Sequence, residues 1–284
     1  MTVAVTGASG QLGRLVVEEL VRAGTTSVVA IVRDPRKVAD LADRGGVDVR
    51  QADYGDPAAL ERALDGVDRV LLISGNEFGA RVAQHTNVIR AAERAGIELL
   101  AYTSIPSATD NPLILAQEHR ATEAVLAESA VPYVLLRNGW YWENYAGGLA
   151  HAVESGVLHG AAGAGRVAGA ARADYAEAAA RVLITDGRAG RVYELGGGER
   201  LTYAELAQAI SEAAGKPVRY EDLPEADYAA ALIQAGLPEV YAKALADADA
   251  GIATGILDVR SGDLEKLLGR PATSAVEVFR AALG

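Results

Sequence analysis

Short apolar runs recur through the first half of the chain, separated by longer stretches in which apolar residues return every three or four positions. The runs Val3 to Thr6, Val28 to Val32, Val47 to Gln51, Val70 to Ser74, Leu99 to Thr103 and Val131 to Leu136 have the length and β-branched content of strands. Between them, Leu12 to Ala23, Pro35 to Ala42, Pro57 to Leu64, Arg81 to Ala95 and Leu113 to Ser129 carry helical spacing and are long enough for right-handed crossovers. That rhythm predicts βαβ units, and hence an α/β chain with a Rossmann-type, doubly wound parallel sheet covered by helices.

Past Asn138 the alternation gives way to aromatic, Gly-rich and Ala-rich sequence. Asp174 reads as the N-cap of a helix running through Leu183, and Val192 to Leu195 as a seventh strand. Beyond Gly196-Gly197-Gly198 helical patterns dominate, and Thr202 stands three residues before Glu205, the spacing of a capping box. The expected division is therefore a dinucleotide-binding part over residues 1–139, to which 172–196 returns, and a smaller, mainly helical substrate-binding part over 140–171 and 197–284.

Composition removes several alternatives. Half of the 284 residues are hydrophobic, enough for a substantial core. A formal net charge of −11 argues against nucleic acid as a partner, because sequence-independent binding rests on clustered Lys and Arg releasing counterions. Cysteine is absent, which excludes disulfides, thiolate metal sites and cysteine nucleophiles. The N-terminus opens directly on Thr2-Val3-Ala4-Val5 without a basic segment leading into an apolar one, so a cytoplasmic location is expected. No run approaches the ~20 apolar residues that span a bilayer. His85, His151 and His159 have no metal-ligand spacing, and no Gly-x-Ser-x-Gly elbow supports hydrolysis.

The candidate chemistry begins at Thr6-Gly7-Ala8-Ser9-Gly10-Gln11-Leu12-Gly13, between the first strand and the first helix. Gly7, Gly10 and Gly13 suit a sharp turn, close approach to a pyrophosphate and tight helix-on-sheet packing. The helix start offers unpaired amide hydrogens and a positive dipole end, so phosphate can be held without a basic side chain. Arg33 ends the second strand about 20 residues after the third glycine, where an Arg accommodates the 2′-phosphate of NADP and an acidic residue would select NAD. NADPH is therefore the expected cofactor. Asp34 is the competing residue, able to contact an unphosphorylated ribose. Asp53 and Tyr54 are placed either to border an adenine or to cap the helix before Pro57.

The glycine loop resembles that of the short-chain dehydrogenase/reductase superfamily, although no Tyr here has Lys four residues later and the usual Tyr-x-x-x-Lys relay is missing. Four further stretches resemble the NmrA-like, atypical branch, especially its bacterial NAD(P)H:quinone oxidoreductase type: Ile31-Val32-Arg33-Asp34-Pro35, Gln51-Ala52-Asp53-Tyr54-Gly55-Asp56, Leu135-Leu136-Arg137-Asn138-Gly139-Trp140-Tyr141 and Arg172-Ala173-Asp174-Tyr175. The resemblance covers nearly the whole chain. It implies an NADPH site built from Gly7, Ala8, Ser9, Gly10, Gln11, Leu12, Arg33, Ile73, Ser74 and Gly75 together with Arg137, Asn138, Gly139, Trp140 and Tyr141. Thr103-Ser104 would border the nicotinamide ribose, and Arg172 is either near the cofactor or in a structural ion pair.

The reaction so implied is hydride transfer from NADPH to a quinone or similar flat electrophile, which needs positioning more than a dedicated acid. Trp140, Tyr141 and Asn144 follow the sixth strand as candidates to stack and hold such a ring, while the same aromatics could instead form a core cluster with Trp142 and Tyr145. His119 is a candidate proton donor, or else a helix-surface His paired with Glu123 one turn on. Three other readings stay open: a non-catalytic NADP(H)-sensing regulator of the NmrA-like type, reduction or isomerisation of a sugar-like carbonyl, and assembly as a homodimer.

Overall fold

The computed structural model describes residues 1–42 and 45–284. Its strands, in chain order, are β1 (Val3–Val5), β2 (Val28–Val32), β3 (Val47–Gln51), β4 (Arg69–Leu72), β5 (Leu99–Ser104), β6 (Tyr133–Asn138), β7 (Val157–Gly160), β8 (Arg166–Val167), β9 (Val192–Leu195), β10 (Leu201–Thr202) and β11 (Arg219–Asp222). Seven of them form one sheet in the order β3-β2-β1-β4-β5-β6-β9. The pairings from β3 through β6 are all parallel, with Val3, for example, opposite Val28 on one side and Arg69 on the other. The reversal of strand order falls at the β1–β4 boundary, where parallel sheets place their ligands.

Helices α1 (Gln11–Arg22), α2 (Ala39–Ala42), α3 (Pro57–Ala63), α4 (Arg81–Ala95) and α5 (Ile114–Ala127) occupy the crossovers. The expected Pro35 to Ala42 helix divides into a 3-10 turn over Pro35–Val38 and the short α2. Asp34 caps that turn by accepting the Arg36 N–H. The sixth strand starts after Pro132, which has no N–H to give to a ladder, and continues to Asn138.

The described chain groups into two compact units. The first comprises Met1–Ile105, Glu118–Arg137 and Tyr175–Tyr193. Its core sets Ala4, Val29, Ile31, Val70, Leu72, Leu100 and Leu135 of the sheet against Leu60, Leu64, Val88, Ile89 and Leu126 of the helices. All three β1 residues are fully buried, as befits a central parallel strand covered on both faces.

The second unit comprises Pro106–Gln117, Asn138–Asp174 and Glu194–Gly284, so the segment before α5 groups here and not with 1–105. It contains α6 (Ala146–Ser155), α8 (Tyr203–Ala214), α9 (Glu225–Gln234), α10 (Glu239–Thr254), α11 (Asp263–Leu268) and α12 (Ala275–Leu283), and α7 (Arg172–Ile184) begins in it. Two small ladders, β10 with β8 antiparallel and β11 with β7 parallel, add strand structure that the apolar pattern did not predict. Thr202 and Glu205 make the expected capping box on α8, and Ser274 with Glu277 makes another on α12.

Asp174 is not an N-cap. It lies inside the first turn of α7, fully buried, and accepts from the Thr273 N–H at 2.7 Å, the Thr273 hydroxyl at 3.2 Å and Arg270 Nη2 at 2.8 Å. Three donors from the Arg270–Thr273 segment outcompete a local amide for that carboxylate. No helix among the described residues is long and apolar enough to cross a membrane.

Candidate functional site

The loop from Gly7 to Gly13 is shaped by contacts that exclude side chains. Gly7 sits at φ 60°, and the Gly10 N–H closes the turn on the Gly7 carbonyl at 2.9 Å. A Cβ on Gly13 would collide with the Gly7 carbonyl oxygen and lie 2.8 Å from the Ala8 Cα, so the first turn of α1 packs directly on the loop. Gly10 caps α1 without a side-chain bond, leaving the amides of its first turn to a ligand or solvent beyond the helix start. Ser9, Gly10 and Gln11 are exposed, whereas Ala8 and Leu12 are buried and hold the loop to the core.

A cavity of about 400 Å³ opens above this loop, lined by residues at the carboxyl ends of β1 to β4 and in the turns that leave them. Of the expected residues it gathers Gly7, Ser9, Gly10, Arg33, Ile73, Ser74 and Gly75, together with Asp53 and Tyr54. It adds Lys37, Asn76, Glu77 and Gln84, for which the sequence carries no motif. Arg33 Nη1 donates to Glu77 Oε1 at 3.0 Å. Asp34 is turned away to Arg36, which donates to both of its oxygens at 2.9 Å, so the carboxylate that competed with Arg33 is already engaged. That arginine, with the Arg36 N–H, holds the Asp34 carboxyl below the usual carboxylate range.

Tyr54 ties three strand ends together. Its hydroxyl hydrogen-bonds to Thr6 Oγ1 and donates to the Ile73 carbonyl at 2.9 Å, while the Ile73 N–H donates to Thr6 Oγ1 at 3.1 Å. Burial pushes the phenol above its ordinary range, so it stays a neutral donor. The Ser74 N–H donates to Thr103 Oγ1 at 2.8 Å, and the Gly75 N–H to His85 Nε2 at 3.0 Å. His85 must therefore carry its proton on Nδ1, which faces Thr122 Oγ1 at 3.0 Å. Burial, and then the Arg81 charge, lower His85 to about 3. This histidine had no signal in its sequence spacing; it reaches Gly75 only because α4 returns along β4.

His119 is buried and meets the Tyr102 hydroxyl through Nδ1 at 2.8 Å. The alternative pairing with Glu123 does not occur, because Glu123 takes a two-pronged bond from Arg137 at 3.0 and 2.6 Å and a hydroxyl bond from Ser104 at 2.5 Å. Burial, followed by the charge of Arg81, puts His119 well below its ordinary value, so the ring is neutral at physiological pH.

In the second unit, the segment after β6 runs beside Ala170. Tyr141 bridges to it, the Ala170 N–H donates to the Trp140 carbonyl and the Trp142 N–H to the Ala170 carbonyl, both at 3.0 Å. Asn138 Nδ2 donates to the Tyr141 hydroxyl at 3.2 Å, and the Arg172 guanidinium lies 5.0 Å from the Tyr141 ring centre. Gly139 gives its N–H to the Leu195 carbonyl at 2.7 Å. Trp142 is fully buried, and Trp142 and Tyr145 both stand edge-on to Phe279, with ring centres 6.5 and 6.2 Å away. The aromatic run is thus divided: Trp140 and Trp142 are buried, Tyr141 and Tyr145 half-buried and Asn144 exposed. No cluster of metal-ligating side chains occurs among the described residues.

Residues 7–186 match the NAD(P)H-binding family model. The chain is 51% identical over 276 residues, 97% of its length and 96% of the relative's, to quinone oxidoreductase 2 of Escherichia coli. It is 29% identical over 98% of its length, and 96% of the relative's, to an NAD(P)H azoreductase of Xenophilus azovorans. Among solved structures, the Escherichia coli NADPH-dependent quinone oxidoreductase complexed with NADPH superposes with a TM-score of 0.96 at 50% identity, covering 100% of both chains. The Citrobacter triphenylmethane reductase complexed with NADP(H) gives 0.93 at 37% identity, covering 99% of this chain and 100% of the other.

Proposed function

The chain belongs to the NAD(P)H-binding family, in its NmrA-like branch, and from that premise we propose that it is an NADPH-dependent oxidoreductase passing hydride to a quinone or similar flat electrophile. The observation that carries the acceptor is the 51% identity, sustained over 97% of the chain, to a quinone oxidoreductase. A likeness of 17% to the transcriptional regulator NmrA shows a shared fold and gives the sensor reading no comparable support.

The residues fit the cofactor. The cavity is lined by a glycine loop that a Cβ would fill, an uncapped helix start and the cations Arg33 and Lys37. In the proposed arrangement the α1 amides and Gly7 to Leu12 hold the pyrophosphate, Arg33 and Lys37 meet the 2′-phosphate, and Ile73, Ser74 and Gly75 border the sugar toward the nicotinamide. When bound, the nicotinamide supplies the hydride. Trp140, Tyr141 and Asn144 are proposed for the acceptor ring, with Asn138 and Arg172 setting the Tyr141 phenol. A quinone takes hydride without prior protonation, so the absent Tyr-x-x-x-Lys costs little, and His119 held neutral against Tyr102 is a positioning group in this scheme. NADPH is an intracellular reductant, which suits a cytoplasmic site of action.

The test is NADPH absorbance followed with and without a small benzoquinone, and again with NADH. Fast quinone-dependent oxidation supports the proposal; tight NADPH binding with no turnover on quinones or carbonyls overturns it in favour of a sensor.

A further inference from the structure

We infer that Glu77 limits the pocket's preference for a 2′-phosphorylated nucleotide, by pairing with Arg33 at the pocket rim and so placing a carboxylate beside the cation that meets the 2′-phosphate; this rests on the NADPH reading above. Arg33 follows β2 and Glu77 follows β4, and β1 with its glycine loop lies between those strands. The pair at 3.0 Å therefore bridges across the loop, and both partners line the same cavity.

Glu77 is held in place from two sides. Its other carboxylate oxygen accepts from Gln84 Nε2 at 2.8 Å, and its backbone carbonyl accepts the Ala80 and Arg81 N–H groups at 3.2 and 3.1 Å. The Arg33 backbone is anchored likewise, its carbonyl accepting from Gln51 Nε2 at 3.0 Å. The other carboxylates near Arg33 are occupied: Asp34 by Arg36, and Asp53 through the Gly55 N–H at 2.7 Å. Among the described residues, Glu77 is the carboxylate that pairs with the guanidinium.

A phosphate dianion and a carboxylate compete for the same planar fork. Glu77 takes Nη1 alone, so a 2′-phosphate either uses the remaining guanidinium donors with the carboxylate close beside it or displaces the carboxylate for the full fork; in both cases Glu77 repels the phosphate, with Lys37 as a second cation lining the cavity. A ribose bearing a 2′-hydroxyl meets no such repulsion. Both partners are well exposed, at 68% and 49%, so solvent screens the pair and the penalty is modest.

Calorimetric titration with adenosine 2′,5′-bisphosphate and with 5′-AMP isolates the effect from hydride transfer. Glu77→Gln keeps the side chain's size and removes its charge. It is expected to bind the bisphosphate roughly three- to fivefold tighter and to change AMP binding by less than about twofold. Glu77→Ala should move the bisphosphate in the same direction, and in an Arg33→Ala background the gain from Glu77→Gln should largely vanish. Unchanged or weaker bisphosphate binding in Glu77→Gln, or equal tightening of AMP, overturns the inference while leaving the cofactor assignment standing. A wild-type protein that binds neither the bisphosphate nor NADPH overturns the assignment itself.

Discussion

Gly13 and His85 carry the site by opposite means, one by having no side chain and the other by burying a polar one. At Gly13 the nearest obstacles to a Cβ are backbone atoms of Gly7 and Ala8, which cannot rotate away. Gly13→Ala should therefore cost about 1–3 kcal/mol in urea unfolding, and push the glycine loop off the position that NADPH titration reads as affinity. His85 is the acceptor for the Gly75 N–H. His85→Ala strands that amide, and a loss on the order of 1–1.5 kcal/mol corresponds to roughly a tenfold rise in the KM for NADPH with kcat much less affected. Because burial holds His85 at about 3, its own titration leaves that KM flat near neutral pH. The three glycines were legible from spacing alone. The roles of His85, Glu77 and the Tyr54 hydroxyl were not, since each depends on a partner that a neighbouring strand or helix supplies, and one-dimensional spacing does not show which elements lie side by side.

At the scale of elements, local chemistry was readable wherever the partner was also local. The Thr202–Glu205 capping box needs only four consecutive residues, and it formed as the spacing predicts. Asp174 had equally suitable neighbours, yet its carboxylate is drawn to Arg270 and Thr273 near the C-terminus. It thereby fixes the start of α7 to the chain between α11 and α12. Asp174→Ala removes an acceptor that is fully buried and leaves the Thr273 N–H without its partner, so it should cost about 3 kcal/mol in denaturant unfolding. Asp174→Asn, which keeps one acceptor, should lose less; equal losses for the two would show that charge, and not the pair of backbone and hydroxyl bonds, holds the segment. The short β7–β11 and β8–β10 ladders could not be read from the pattern because two- to four-residue strands carry too few alternations to show a period.

For the molecule as a whole, two buried titrating groups oppose each other as pH falls. His85 is favoured neutral in the folded chain, so its contribution is present above the unfolded value near 6.5 and is lost as pH falls toward about 3. Asp249 has the reverse sign. Burial raises its carboxyl to about 6, although the Tyr203 hydroxyl and the Ala161 N–H at 3.0 Å both bond to it. Its contribution is fully present below the unfolded value of 3.8 and is lost as pH rises through about 6, a swing on the order of 3 kcal/mol. His119, held low by burial as well, adds to the His85 slope, so Asp249 offsets only part of it and wild-type stability should fall as pH drops from about 6.5 toward 4. Asp249→Asn removes one of the two opposing terms: the mutant should gain on wild type by roughly 3 kcal/mol on going from about pH 4 to above pH 7, measured as unfolding free energy at each pH. An offset between the two proteins that stays constant across that range would mean the Asp249 carboxyl titrates as it does in the unfolded chain, and that its bonds to Tyr203 and Ala161 fully repay its desolvation.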